Sequence, residues 1–306
     1  MKKLMLADWA TLVYVAFTTV VLLLMWNVMD HPYEMLSLRI ASVAVVYGLA
    51  WLNSCVSHSI IWFARLAFPL AMLGVWYPET FEFSRHFPNL DHLFATADLR
   101  FFGCEPAYEM CRLLQGKVWS ELFNLGYFSY FIFIVLGIVV PLCFKREATE
   151  RTVFIITAGF FAYYVIYLFL PVAGPQFYYA VIDASTVSAG PFAAVDNYFD
   201  LHPDAPIVGN TTSGFFQQLV VLAHQGGERP VAAFPSSHVG MGTVLMILFW
   251  KLRRWVCWAA LPLYVLLCGA TVYIGAHYLV DVFGGWVTAV VFYFFFDACY
   301  TRLARR

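Results

Sequence analysis

Eight long apolar runs, near residues 10–28, 38–56, 59–77, 120–144, 152–170, 237–252, 255–274 and 281–299, constrain this sequence more than any other feature. A helix crosses the hydrocarbon core of a bilayer with roughly 20 mostly apolar residues, and in lipid the chain must satisfy its own backbone hydrogen bonds. The runs therefore predict an all-α fold, a polytopic membrane helix bundle of about eight transmembrane helices. Composition agrees. Charged residues make up 12% of the 306, against about 25% in soluble domains. The third run holds Arg65, which must snorkel, pair or face a polar cavity. The first run extends from Ala10 to about Val28 with no small-residue cleavage site after it, and so reads as a span and not as a signal peptide.

Basic residues fall in four short clusters: Lys2 with Lys3; Lys145, Arg146 and Arg151; Lys251, Arg253 and Arg254; and Arg302, Arg305 and Arg306. With eight spans all four lie on one side together with both termini, and short Lys- and Arg-rich segments stay cytoplasmic. The two long connections, 78–119 and 171–236, then face away from the cytoplasm, and a probe placed at Asn210 is expected to be reached from that side. The first connection reads as re-entrant or interfacial. A bacterial inner membrane, with the active site facing the periplasm or exterior, suits these short loops. The clusters form no basic domain, so no nucleic-acid partner is expected. Of the seven cysteines, Cys104 and Cys111 share one polar loop, where a disulfide and two free thiols are both open.

The topology gathers three ionisable residues on the non-cytoplasmic face. His238 ends the segment Phe234-Pro235-Ser236-Ser237-His238 before the sixth span, while His277 and Asp281 join the seventh span to the eighth. If residues 277–281 are helical, the i, i+4 spacing puts His277 and Asp281 on one face. A carboxylate on one ring nitrogen leaves the other basic and nucleophilic. The opening turn of a helix at Ser236, Ser237 and His238 offers unpaired N–H groups to a phosphate, and a second histidine there fits general acid and base work. Alternatives stand beside each role. A histidine near an interface is more often a hydrogen-bonded structural residue, the reading given to His58 and His224, and Asp281 also suits a helix cap or first-turn carboxylate. No local ligand pair such as H-x-x-x-H favours a metal. A non-catalytic lipid-binding or transport protein is the rival class, although the chain shows no internal repeat of the kind common in transporters.

These residues resemble the type 2 phosphatidic acid phosphatase superfamily, whose second and third signatures read approximately P-S-G-H and S-R-x5-H-x3-D. Pro235, Ser236 and His238 match the second, with Ser237 in place of glycine; His277 and Asp281 match the third, with Ala270 and Thr271 at its serine and arginine positions. The first signature, K-x6-R-P, is reduced to a proline within Leu170–Phe177, and its two cations are missing. The F-P-S-x-H form and Thr271 are similar to the branch containing inositol phosphorylceramide synthase, as are Asp98–Gly103 and Tyr127–Tyr130 upstream. The resemblance implies a six-helix core preceded by two extra spans. It implies a phosphohistidine formed on His277, oriented by Asp281, with His238 protonating the leaving alkoxide. A membrane lipid phosphatase or phosphotransferase is expected, without cofactor, acting on a phospholipid or sphingolipid; head-group transfer of the inositol phosphorylceramide synthase type is the alternative. Residues 1–96 are expected to form N-terminal spans and an interfacial segment, and 97–306 the catalytic membrane domain. With the usual cations missing, Arg229 is the first substitute for binding phosphate, a solvated loop arginine being its other reading, and Gln176 is a neutral donor.

Overall fold

The computed structural model describes residues 4–56, 58–205, 207, 214–225 and 227–305. Lys2, Lys3, Arg306 and Asn210 lie outside the described residues. Among those described, all regular structure is helical. Three helices open the chain: α1 (Leu6–Leu24), α2 (Pro32–Cys55) and α3 (Ser59–Ser84). The first long connection carries α4 (Asp91–Phe102) and α5 (Pro106–Leu113), and leads into α6 (Lys117–Phe144) and α7 (Thr149–Phe169). The second holds four short helices, α8 (Pro175–Tyr178), α9 (Ala184–Ala189), α10 (Tyr198–Leu201) and α11 (Phe215–Gln225). Three helices close the bundle: α12 (Ser237–Leu252), α13 (Arg254–Tyr273) and α14 (Leu279–Leu303).

Seven of these are long and apolar enough to cross a membrane, namely α1, α2, α3, α6, α7, α13 and α14. The remaining run, 237–252, does form a helix, but its 16 residues reach only about 24 Å at 1.5 Å per residue, short of the roughly 30 Å hydrocarbon core. It is short because the Ser236 hydroxyl caps it, accepting the Val239 N–H at 3.3 Å, and because the chain turns away at Arg253. Helices α6, α7, α13 and α14 all pack against α12. Helix α7 is the most enclosed span and also carries α1 and α3 on its other side.

Two buried ion pairs lock the first three helices together. Arg65 of α3 pairs with Asp8 of α1, which settles how an arginine is held inside the third run. Arg39 of α2 grips Glu79 of α3 with two bonds, 2.7 and 2.9 Å, beneath the Trp76 ring. The described basic clusters meet at one end of the bundle. Arg151 pairs with Asp297 at 2.6 Å, Lys251 lies over Tyr293 at 4.8 Å, and Arg253 lies over Phe144 at 5.4 Å. Both long connections sit at the other end, where carboxylates of α4 bind the backbone of the loops. Cys104 and Cys111 are both free thiols.

Candidate active site

Two carboxylates on one face of α4, seven residues apart, fix the loops of the site. Asp91 is fully buried and accepts four bonds: Ala173 N–H at 2.7 Å, Gly174 N–H at 2.7 Å, the Tyr278 hydroxyl at 2.8 Å and the Asn89 amide at 2.6 Å. Asp98 accepts the Leu279 and Val280 N–H groups at 2.7 and 2.9 Å, which caps the start of α14 beside Tyr278. Burial raises the Asp98 carboxyl to about 6 while those two bonds oppose the shift. Asp91 thus binds the degenerate first-signature segment to the turn that bears His277.

The segment before α12 is held from below by α7. The Tyr167 hydroxyl donates to the Pro235 carbonyl at 2.7 Å and accepts the Ser237 N–H at 3.1 Å. The Ser236 N–H reaches the Asp281 carbonyl at 3.1 Å, joining this segment to α14. Gly285 of α14 lies so close that a Cβ there would stand 2.7 Å from the Ser236 carbonyl.

These contacts bring the two histidines together. His238 Nδ1 lies 3.3 Å from His277 Nε2. His277 Nδ1 lies 2.6 Å from the Ala233 carbonyl, which only accepts, so Nδ1 carries the proton and Nε2 holds the lone pair. By the same logic His238 donates from Nδ1 toward His277. These tautomers are assigned from the hydrogen-bond network. Burial lowers the His277 pKa to about 4, so the ring is neutral near pH 7. Tyr127 and Tyr130 of α6 flank the His238 ring at centroid distances of 4.6 and 4.4 Å.

The helical geometry expected for residues 277–281 does not form. His277 sits in the turn before α14, which begins at Leu279, and Asp281 occupies its first turn. There Asp281 accepts the Tyr278 N–H at 2.8 Å, the first-turn role open to it from sequence. Its Oδ2 stands 3.6 Å from His277 Nδ1, second to the Ala233 carbonyl, while Oδ1 is buried with no hydrogen-bond partner among the described residues. Ser237 and His238 line a cavity of about 420 Å³; His277 lies behind His238 and is only 2% exposed.

Two expected phosphate ligands lie elsewhere. Arg229 is partly exposed and paired with Asp204 at 2.7 Å, a local partner that holds it outside the cavity lining. Gln176 is buried and donates to Glu228 at 3.2 Å. His58, by contrast, is structural as expected and caps α3 by accepting the Ile60 N–H at 3.2 Å. His224 departs from the same expectation. It lines the cavity, and its Nε2 is buried without a partner among the described residues. Sequence reasoning also missed Glu228, which lines the cavity with Tyr77, Tyr127, Tyr130 and Tyr164. The aromatic repeat across α6 and α7 was the available signal for that wall.

Fold and site together define a polytopic helical membrane protein with paired histidines at one end of its bundle, opposite its basic clusters. A family model of the PAP2 superfamily matches residues 92–295, well over half of the 306, and the chain belongs to that superfamily. Membership points to phosphatase-type chemistry, phosphatase or phosphotransferase, with association to membrane and lipid. No curated protein and no solved structure matches the chain significantly.

Proposed function

We propose that the protein cleaves a lipid phosphoester through a phosphohistidine on His277. The observation that carries this reading is the 3.3 Å contact between His277 Nε2 and His238 Nδ1, with the lone pair on His277 and the proton on His238. The Nε2 lone pair attacks phosphorus as the ester P–O bond breaks, and His238, protonated on both ring nitrogens beside the anionic substrate, gives one proton to the leaving alkoxide and becomes neutral. An incoming hydroxyl then gives its proton to His238 and attacks phosphorus; the P–N bond breaks and both rings return to their starting forms. Because His238 stands between the cavity and His277, the phosphoryl group must part the two rings to reach the nucleophile. Asp281 supports the His277 imidazolium-like intermediate from 3.6 Å, and Ala233 holds the tautomer at 2.6 Å. Ser237 and the N-terminal turn of α12, shaped by Ser236, face the phosphate.

The substrate is a phospholipid or sphingolipid, and residues 97–306 carry the chemistry while α3, from the N-terminal part, walls the cavity. The histidine end faces the periplasm or exterior of a bacterial inner membrane, a reading supported by the basic clusters at the opposite end. One observation favours a second acceptor. Among the described residues that line the cavity there is no lysine or arginine, which suits a phosphodiester, with one charge fewer than a monoester, and head-group transfer of the inositol phosphorylceramide synthase type.

The test is to incubate purified protein with lipid labelled in the phosphate and quench under alkaline conditions. Acid-labile label on the wild type and none on His277→Ala is the expected result. Full turnover by a folded His277→Ala protein sinks the mechanism. Inorganic phosphate as the sole product assigns hydrolysis, and a new phospholipid or sphingolipid assigns transfer.

A further inference from the structure

The cavity has a second polar pole that the two histidines do not use. Glu228 faces it, with His224 beside it, and the surrounding wall is aromatic, formed by Tyr77, Tyr127, Tyr130 and Tyr164. Among the described residues the Glu228 carboxylate accepts only from uncharged donors, the Gln176 amide at 3.2 Å and the Tyr77 hydroxyl at a long 3.5 Å. No lysine or arginine is among the described residues of the lining. His224 supplies no cation either, since burial lowers its pKa to about 4. Gln176, 2% exposed, keeps its carbonyl oxygen buried beside Glu228 and without a partner among the described residues. Its orientation is fixed chemically, because only the NH2 face donates to a carboxylate.

This pole is therefore rich in acceptors and in negative aromatic faces. A phosphate placed there meets a carboxylate and four electron-rich rings. A cation there meets the Glu228 carboxylate and tyrosine faces of the lining, the kind of partners by which aromatic cages hold ammonium groups. Burial pushes Glu228 up to about 7 against the opposing Gln176 and Tyr77 bonds, and a guest cation supplies the counter-charge that returns it to the ionised form. Tyr127 links the two poles, tilted on His238 at 4.6 Å and edge-on to His224 at 5.7 Å. A zwitterionic head group fits such a cavity with its phosphate at Ser237 and His238 and its ammonium toward Glu228.

We propose that Glu228, with the tyrosine wall around it, is a head-group subsite that selects an ammonium-bearing phosphodiester lipid, an assignment that rests on the phosphoester reading for the bond cleaved but not for the binding. Two measurements on the full-length protein in lipid nanodiscs separate the parts. In the first, tetramethylammonium and myo-inositol are titrated against tyrosine and tryptophan fluorescence. The wild type is expected to bind tetramethylammonium, Glu228→Gln to bind it at least tenfold more weakly, and inositol to bind neither. Glu228→Asp keeps the charge on a shorter arm, is expected to fall between them, and guards against misfolding of the first variant. Equal tetramethylammonium affinity in wild type and Glu228→Gln, or binding of inositol alone, overturns the subsite.

In the second, phosphatidylethanolamine, phosphatidylinositol and phosphatidic acid are compared as substrates. Phosphatidylethanolamine is expected to be cleaved with the highest kcat/KM, and Glu228→Gln to lower that value at least tenfold more than it lowers the value for phosphatidic acid. If none of the lipids is cleaved but the ammonium titration holds, the subsite stands and the catalytic reading fails. If the lipids are cleaved with no dependence on Glu228, the reaction stands and the subsite falls.

Discussion

Replacing Asp91 by alanine should loosen the active-site end of the bundle without touching either histidine. The carboxylate is fully buried and accepts the Ala173 and Gly174 N–H groups, the Tyr278 hydroxyl and the Asn89 amide, all at 2.6–2.8 Å. The Tyr278 and Asn89 side chains are able to turn to other partners, so only the two main-chain donors are certain to be orphaned. A buried donor left without its acceptor costs about 1–3 kcal/mol, which gives about 2–6 kcal/mol for the pair. Set against a total stability of about 5–15 kcal/mol, that is a large fraction. At about 2 °C per kcal/mol for a chain of this size, Asp91→Ala should melt about 4–12 °C below wild type. Asp91→Asn keeps one acceptor oxygen and should lose less. Thermal unfolding followed by tryptophan fluorescence in nanodiscs measures the shift, and hydrogen exchange of peptides covering 171–176 locates it. A melting point within 2 °C of wild type, with those amides still protected, would refute the assignment of Asp91 as the anchor of the site.

Three further outcomes follow from the same geometry. Attack requires neutral His277, whose pKa burial lowers to about 4, so turnover should hold from pH 7 to about 5 and fall as pH drops through about 4; an acid limb centred near 6.5 contradicts it. Since the unfolded ring binds its proton below about 6.5 and the buried ring does not, this group also withdraws stability as pH falls from 6.5 toward 4, readable as a falling melting point. Tyr167→Phe orphans the Pro235 carbonyl and the Ser237 N–H, for a loss of about 2–6 kcal/mol and a drop in kcat larger than any rise in KM; unchanged kcat means the segment before α12 is held by something else. Arg229→Ala removes only a partly exposed pair with Asp204, so stability should change by about 0–1 kcal/mol and turnover should be nearly wild type, whereas a fivefold loss would place Arg229 at the phosphate.

The spans were legible in the sequence because an apolar run of this length is a local property. So was the neighbourhood of His238, His277 and Asp281, because topology alone delivers the ends of spans to one face. What escaped was set by contacts across many residues. The i, i+4 relation of His277 and Asp281 presumes a continuous helix, yet Asp98, some 180 residues earlier, caps α14 and fixes its start at Leu279. That displaces Asp281 to a first-turn role and gives His277 Nδ1 to the Ala233 carbonyl. Arg229 was close in sequence to the phosphate segment but closer in space to Asp204. His224 resembles any interfacial histidine until the bundle shows what stands opposite it. Asp91 and Asp98, seven apart on an amphipathic helix, were the one local hint that α4 presents carboxylates to a partner.

The two ion pairs of the first three helices bear on how the chain enters its membrane. Each of α1, α2 and α3 carries charge that finds its partner only on another of the three, Asp8 on Arg65 and Arg39 on Glu79. A lone charge at the centre of a helix in lipid costs about 2.5–3.5 kcal/mol on insertion and less toward an end, where Asp8 lies in the first turn of α1, and α3 carries two of the four. Released singly, α2 and α3 would carry these charges unpaired; released together, both pairs are neutralised. Biogenesis therefore favours holding α1 and α2 at the insertion machinery until α3 is made, which turns the third helix into the latch that completes the cavity wall and frees the trio into the bilayer in one step.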